Sequence, residues 1–164
     1  MIIKSFEEKK INLINQKIHL LYGENQGQIQ DFIDQIFRKN FQGNIYHYEE
    51  IEIIKDEEII FDQLQTKSFF DNKKLIIIRR ASDKIAKIIE KMIEKDISDI
   101  NFVLTSNILE KKSKLRNLFE TSKKLVVIPT YKDNSLTLAE ITKKFFNNYK
   151  ISISQETINL LVNR

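Results

Sequence analysis

Short apolar runs alternate with helical stripes along the first 130 positions. Residues 6–15 predict a short helix. Lys17-Ile18-His19-Leu20-Leu21-Tyr22 then reads as a buried strand, stopped by Gly23. Beyond the loop at 24–28, Ile29, Phe32, Ile33, Ile36 and Phe37 keep the i, i+3, i+4, i+7, i+8 spacing of a core-facing helix. Gly43-Asn44 ends it and leads to a second strand, Ile45-Tyr46-His47-Tyr48. Isoleucines alternate with acids over 49–58, and Ile60, Phe61 and Leu64 predict a short helix after them. Residues 74–78 form a third strand. Ile85, Ile88, Ile89, Met92 and Ile93 make another stripe, with Lys84, Lys87, Lys91 and Lys95 on its wet side. Residues 101–105 and 125–128 are the fourth and fifth strands, and Leu115, Leu118 and Phe119 mark a helix between them from about Ser113. Strands of four to six mostly apolar residues that alternate with helices predict the α/β class: an open parallel sheet covered on both faces.

After Pro129 the pattern changes. Positions 131–135 are polar and turn-like. Thr137 and Glu140 are spaced as a capping box, with Leu136 and Ile141 as its hydrophobic staple. Leu138, Ile141, Phe145 and Phe146 are the expected buried face of that helix. Ser154 is the expected cap of a second helix carrying Ile158, Leu161 and Val162. The chain stops inside that amphipathic stretch, and two helices cannot bury both apolar faces alone. This predicts two domains: an α/β domain over 1–135 and the truncated beginning of a helical domain over 136–164.

Composition narrows the chemistry. Of 164 residues, 41% are hydrophobic and 30% charged, which suits a folded domain and not a disordered one. There is no cysteine, so disulfides, thiolate zinc sites and cysteine nucleophiles are excluded. Two histidines, His19 and His47, leave little for a histidine-based metal site or triad. No apolar run approaches the ~20 residues that span a bilayer, and the N-terminus is too acidic for a signal peptide. A cytoplasmic protein without a membrane partner is expected. The 29 isoleucines and 22 lysines beside only 3 alanines read as the bias of an AT-rich genome. Residues 1–66 hold 7 basic and 12 acidic residues, net −5; residues 67–164 hold 20 basic and 11 acidic, net +9. The basic half suits either a nucleic-acid partner or a lysine-rich solvated surface.

The strand–glycine loop–helix segment occupies the place of a P-loop but lacks its parts. A working loop reads G-x-x-x-x-G-K-[ST], because the lysine neutralises the β/γ-phosphates and the hydroxyl holds Mg²⁺. Here Gly23-Glu24-Asn25-Gln26-Gly27 has three residues between the glycines, and Gln28 and Ile29 stand in place of Lys and Ser/Thr. Glu24 would repel phosphate. Arg79-Arg80 follows the third strand, where an acidic pair would bind metal. Neither ATP hydrolysis nor any cofactor is expected. His19 reads as a structural residue of its strand and His47 as a sheet-face residue. Glu49, Glu50, Glu52, Asp56, Glu57 and Glu58 match a metal cluster in number only and read as a solvated connection.

The ordered set of segments resembles the N-terminal part of the delta subunit of bacterial DNA polymerase III. It comprises Leu20-Leu21-Tyr22-Gly23-Glu24-Asn25, Thr66-Lys67-Ser68-Phe69-Phe70, Lys74-Leu75-Ile76-Ile77-Ile78, Leu109-Glu110-Lys111-Lys112-Ser113-Lys114-Leu115-Arg116, Val127-Ile128-Pro129 and the helical start from Leu138 to Val162. The resemblance implies an AAA+-like P-loop NTPase fold with a degenerate nucleotide site, followed by the start of a helical lid domain. It implies a non-catalytic clamp-loader subunit of the polymerase III holoenzyme. Such a subunit binds and opens the sliding clamp (beta subunit), works beside other clamp-loader subunits and meets DNA through the complex. The implied clamp contact is a hydrophobic helix tip: Leu64, Lys67, Ser68, Phe69 and Phe70, with Phe69 where the family usually has leucine. The residues agree with that role. Two adjacent phenylalanines between Gln65-Thr66-Lys67 and Asp71-Asn72-Lys73-Lys74 cannot both enter one core: either one packs under the sheet edge while the other lies flat on the surface, or a partner buries them. Burying a phenylalanine on a partner is worth roughly 1.5–3 kcal/mol, and such anchors are typical hot spots.

Two other classes remain. A nucleic-acid-binding module would use Lys73-Lys74, Arg79-Arg80, Lys111-Lys112-Lys114-Arg116 and Lys123-Lys124, and its affinity would fall steeply with salt. A small nucleotide kinase or ATPase with a divergent loop would be stabilised by Mg-ATP.

Overall fold

The computed structural model describes residues 1–3, 11–65, 73–95, 97 and 99–163. The chain divides into two compact units, Met1–Thr130 and Tyr131–Arg164. The first is built on five parallel strands: β1 (Ile18–Gly23), β2 (Gly43–Glu49), β3 (Lys73–Arg79), β4 (Ile100–Ser106) and β5 (Leu125–Thr130). Their order across the sheet is β2-β3-β4-β1-β5. β1, β4 and β5 are buried from end to end, as strands covered on both faces must be.

Alternation along each strand divides the core in two. Ile18, Leu20, Tyr22, Ile76, Ile78, Phe102 and Leu104 point to one face. Four helices cover them: α2 (Glu50–Lys55), α3 (Glu58–Gln65), α4 (Ala86–Ile93) and α5 (Lys114–Thr121). They contribute Ile53, Ile60, Ile88, Ile89, Met92, Leu115 and Phe119. Leu21, Leu75, Ile77, Val103 and Val126 point to the other face, under α1 (Gln26–Phe32) and its continuation. Met1–Ile3 lies along β5: Ile3 N–H donates to the Val127 carbonyl at 2.9 Å, and Val127 N–H donates to that of Met1 at 2.9 Å. That covers backbone groups an edge strand would leave open.

Several expectations are corrected. Of the expected helix over 6–15, residues 13–15 form a turn instead, in which the Asn12 side chain accepts from the N–H groups of Ile14 and Asn15; residues 6–10 lie outside the described residues. The helix after β1 changes from α-helical to π-helical turns at Ile33–Arg38, still burying Ile33 and Phe37. The acidic stretch keeps Glu52, Asp56 and Glu58 exposed, as expected, but it is more than a connection. It forms α2 with a capping box of Glu49 and Glu52, and it buries Glu50.

The second unit contains α6 (Ser135–Asn148) and α7 (Gln155–Val162), which pack on each other. The cap of α6 is Asn134, one turn earlier than expected. Its side chain accepts from the Leu136 and Thr137 N–H groups at 2.9 and 3.0 Å, and Thr137 Oγ1 accepts from the Asn134 N–H. The expected buried face of α6 is largely exposed instead: Ile141 is 51% and Phe145 56% accessible. Ser154 caps α7 as expected, by accepting from the Thr157 N–H, and Ile158 is buried. Among the described residues, no helix is long and apolar enough to cross a membrane.

Candidate functional site

Two corners of the first unit carry the candidate chemistry. The first is the β1–α1 loop. Gly23 adopts φ +143°, and a Cβ there would lie 1.9 Å from the Thr130 carbonyl oxygen. Only glycine lets β1 and β5 run this close at the strand end. Asn25 then caps α1, its Oδ1 accepting from the Gln28 N–H at 2.9 Å, and Gln26 Nε2 donates to the Gly23 carbonyl at 2.9 Å. In a phosphate loop, N–H groups at such a helix start face the anion. Here Asn25 takes the Gln28 N–H, and Gln28 and Ile29 bring neither an ammonium nor a hydroxyl.

Beside the loop lies a cleft of about 340 Å³, lined by residues that include Gln26, Arg79, Arg80, Ser106 and Asn107. Arg80 has φ 56° and donates to Glu49 at 2.7 Å. That pair holds the Glu49 carboxyl below the usual carboxylate range, chiefly through the Arg80 hydrogen bond. At the position of a metal-binding acidic pair the protein thus presents two guanidinium groups.

The sequence reads His19 as a structural residue of its strand and His47 as a sheet-face residue. His19 is buried on the α1 face with its ring edge-on to Phe37, the centroids 4.9 Å apart. Burial lowers its pKa to about 4, against a backbone contact to Phe102 that acts the other way. His47 is exposed on β2 with Nε2 3.0 Å from the Arg38 guanidinium. Partial burial, then Arg38 and Arg79, lower its pKa.

The second corner is α3 and the segment it introduces. Ile60 is fully buried, and Phe61 and Leu64 pack half-buried against the same core. Polar contacts hold both ends of the helix. Lys91 of α4 bonds Glu57, just before α3, at 2.6 Å. In the last turn, Gln63 Nε2 donates to the Tyr48 hydroxyl at 3.3 Å, and Lys74 Nζ donates to the Gln63 carbonyl at 2.8 Å. The preceding helix is held as firmly. The Glu50 carboxylate accepts from the Ser82 N–H at 2.6 Å and from the Ser82 hydroxyl at 2.8 Å. Of the predicted contact residues, Leu64 is thus placed at the end of α3. Lys67, Ser68, Phe69 and Phe70 lie outside the described residues.

Lys74, Glu50 and Ser82 were not singled out for these roles in the sequence. Lys74 did carry a signal: it shares strand parity with Ile76 and Ile78, so a β3 whose alternate residues face the core turns Lys74 inward.

Both corners can now be set beside known proteins. Residues 19–132 match the family model described as DNA polymerase III, delta subunit. No curated protein sequence matches. The DNA clamp loader delta protein of Bacillus subtilis superposes with a TM-score of 0.65 at 16% identity, over 96% of this chain and 50% of that one. The Walker-type ATPase of Pyrococcus abyssi gives 0.52 at 10% identity, over 97% of this chain and 61% of that one. The chain therefore spans about half the length of the clamp-loader protein. At these identities the likeness shows the fold, and the AAA+-like α/β architecture expected from the sequence holds.

Proposed function

The chain belongs to the DNA polymerase III delta subunit family, and from that membership we propose that it acts as a clamp-loader subunit, binding and opening the sliding clamp without hydrolysing ATP itself. The family match over 19–132 carries this reading, since it covers both the degenerate loop and the segment after α3. The clamp contact is Phe69 and Phe70 with Ser68, Lys67 and Leu64, delivered at the end of α3. The aromatic pair enters an apolar pocket beside a clamp interface. The bound form of the clamp fits a closed ring poorly, so binding shifts the ring toward its open state. The Asn25-capped loop, with Gln28 and Ile29 at the lysine and hydroxyl positions, supports a subunit without ATPase activity. Nucleotide-driven steps belong to other loader subunits, and DNA is met through the complex. The helical unit takes the part of a lid domain.

A pull-down with the cognate sliding clamp tests the proposal. The wild-type chain retains the clamp, and retention persists at high salt, unlike a phosphate-backbone contact. The double variant Phe69→Ala with Phe70→Ala loses the clamp and keeps its fold. Equal retention by the double variant contradicts the proposal.

A further inference from the structure

Lys74 is an anomaly in the core. It sits second in β3, ahead of four buried apolar residues, and is itself only 6% exposed. Taking an ammonium out of water is costly unless it is well bonded. An apolar side chain at this position would extend the run Leu75 to Ile78 and avoid that cost. The amine reaches across to α3, where Nζ donates to the Gln63 carbonyl at 2.8 Å. That carbonyl is among the last four of the helix, which lack a partner within it, and a cation there also complements the helix dipole. Tyr48 of the neighbouring strand holds the side chain of the same residue. The last turn of α3 is therefore fixed to two adjacent strands, immediately before residues 66–72, and Lys74 stands immediately after them.

We propose that Lys74 is a positioning residue for the clamp contact: by binding the final turn of α3, its ammonium sets where the segment carrying Phe69 and Phe70 leaves the helix. This inference rests on the clamp-binding function proposed for the chain. A carbonyl in the last turn, unlike a side chain, moves only if the backbone moves. Lys74 thus constrains the point of departure itself. Preorganising a binding segment in this way raises affinity without a new contact to the partner.

The test is a calorimetric titration of the cognate sliding clamp with the 164-residue chain, well below the unfolding temperature of every variant. Lys74→Met keeps the length of the side chain and removes the donor. It is expected to bind the clamp about tenfold more weakly, the effect of losing a charge-assisted hydrogen bond. Lys91→Met breaks the bridge to Glu57 at the opposite end of the same helix and is expected to bind as wild type does. A role confined to stability would leave the affinity of folded Lys74→Met unchanged. If Lys74→Met does not fold, Lys74→Leu, which likewise removes the donor, takes its place with the same criteria. Wild-type affinity for the Lys74 variant, while the Phe69→Ala, Phe70→Ala variant has lost binding, overturns the positioning role and leaves the clamp contact standing. Wild-type affinity in the double phenylalanine variant overturns the clamp contact, and this inference with it.

Discussion

The β1–α1 loop and the end of α3 use polar groups in opposite ways. In the loop the polar groups bind one another: Asn25 caps α1, and Gln26 returns to the Gly23 carbonyl. At the end of α3 the bonds come from elsewhere in the fold, with Tyr48 and Lys74 reaching in from β2 and β3. A loop satisfied by its own side chains offers less to a ligand. A helix end tied to its neighbours is a platform, able to present the next residues of the chain in one place. Under the proposed function, one corner of the sheet has lost the parts of a phosphate loop and the other leads into the segment that meets the clamp.

Changes at the first corner should therefore cost stability and leave clamp binding alone. Gly23→Ala has the largest expected effect. Its Cβ meets the Thr130 carbonyl and φ is +143°, so a loss of about 3 kcal/mol or more in chemical denaturation is expected. The folded fraction should bind the clamp normally.

His19, on the α1 side of the sheet, ranks next through pH. In the unfolded chain its imidazole takes up a proton near pH 6.5. In the fold it does so only at about 4. Between those values the unfolded state binds more protons, so this contribution is fully present above pH 6.5 and falls as pH drops toward 4, by about 3 kcal/mol in all. His19→Phe should flatten that part of the stability–pH curve, and an unchanged slope would contradict the neutral buried imidazole.

The smallest effect should come from Asn25→Ala, which removes the helix cap at a cost of about 1 kcal/mol. It should not create a nucleotide site, since Gln28 and Ile29 remain. Thermal unfolding with and without Mg-ATP checks this, and a rise of several degrees with Mg-ATP in either protein would break the contrast between the corners.

Much of this architecture was legible because strands buried on both faces leave unbroken apolar runs, and residues 75–78 and 125–128 have little else to be. The degenerate loop was legible too, since a missing lysine and hydroxyl can be read directly. Other features depend on competition or on tertiary contacts. Asn134 and Thr137 both stand three residues before a side chain that can answer a cap, and Asn134 wins by serving two N–H groups. Periodicity identified the apolar face of α6 but could not say what covers it. Glu50 and Lys74 carry charges, and charged side chains are seldom buried unless paired. The partners Ser82 and Gln63, 32 and 11 residues away, are set by the fold. Leu64 is placed where the proposed contact begins, and the phenylalanine pair rests on the sequence and the family.

Calorimetric titration of the cognate sliding clamp with this chain, in nucleotide-free buffer, tests the central claim most directly. Saturable binding is expected, unchanged by added Mg-ATP and absent from the Phe69→Ala, Phe70→Ala variant. An isotherm for that variant that overlays the wild-type curve, or binding that appears only with Mg-ATP, would contradict it.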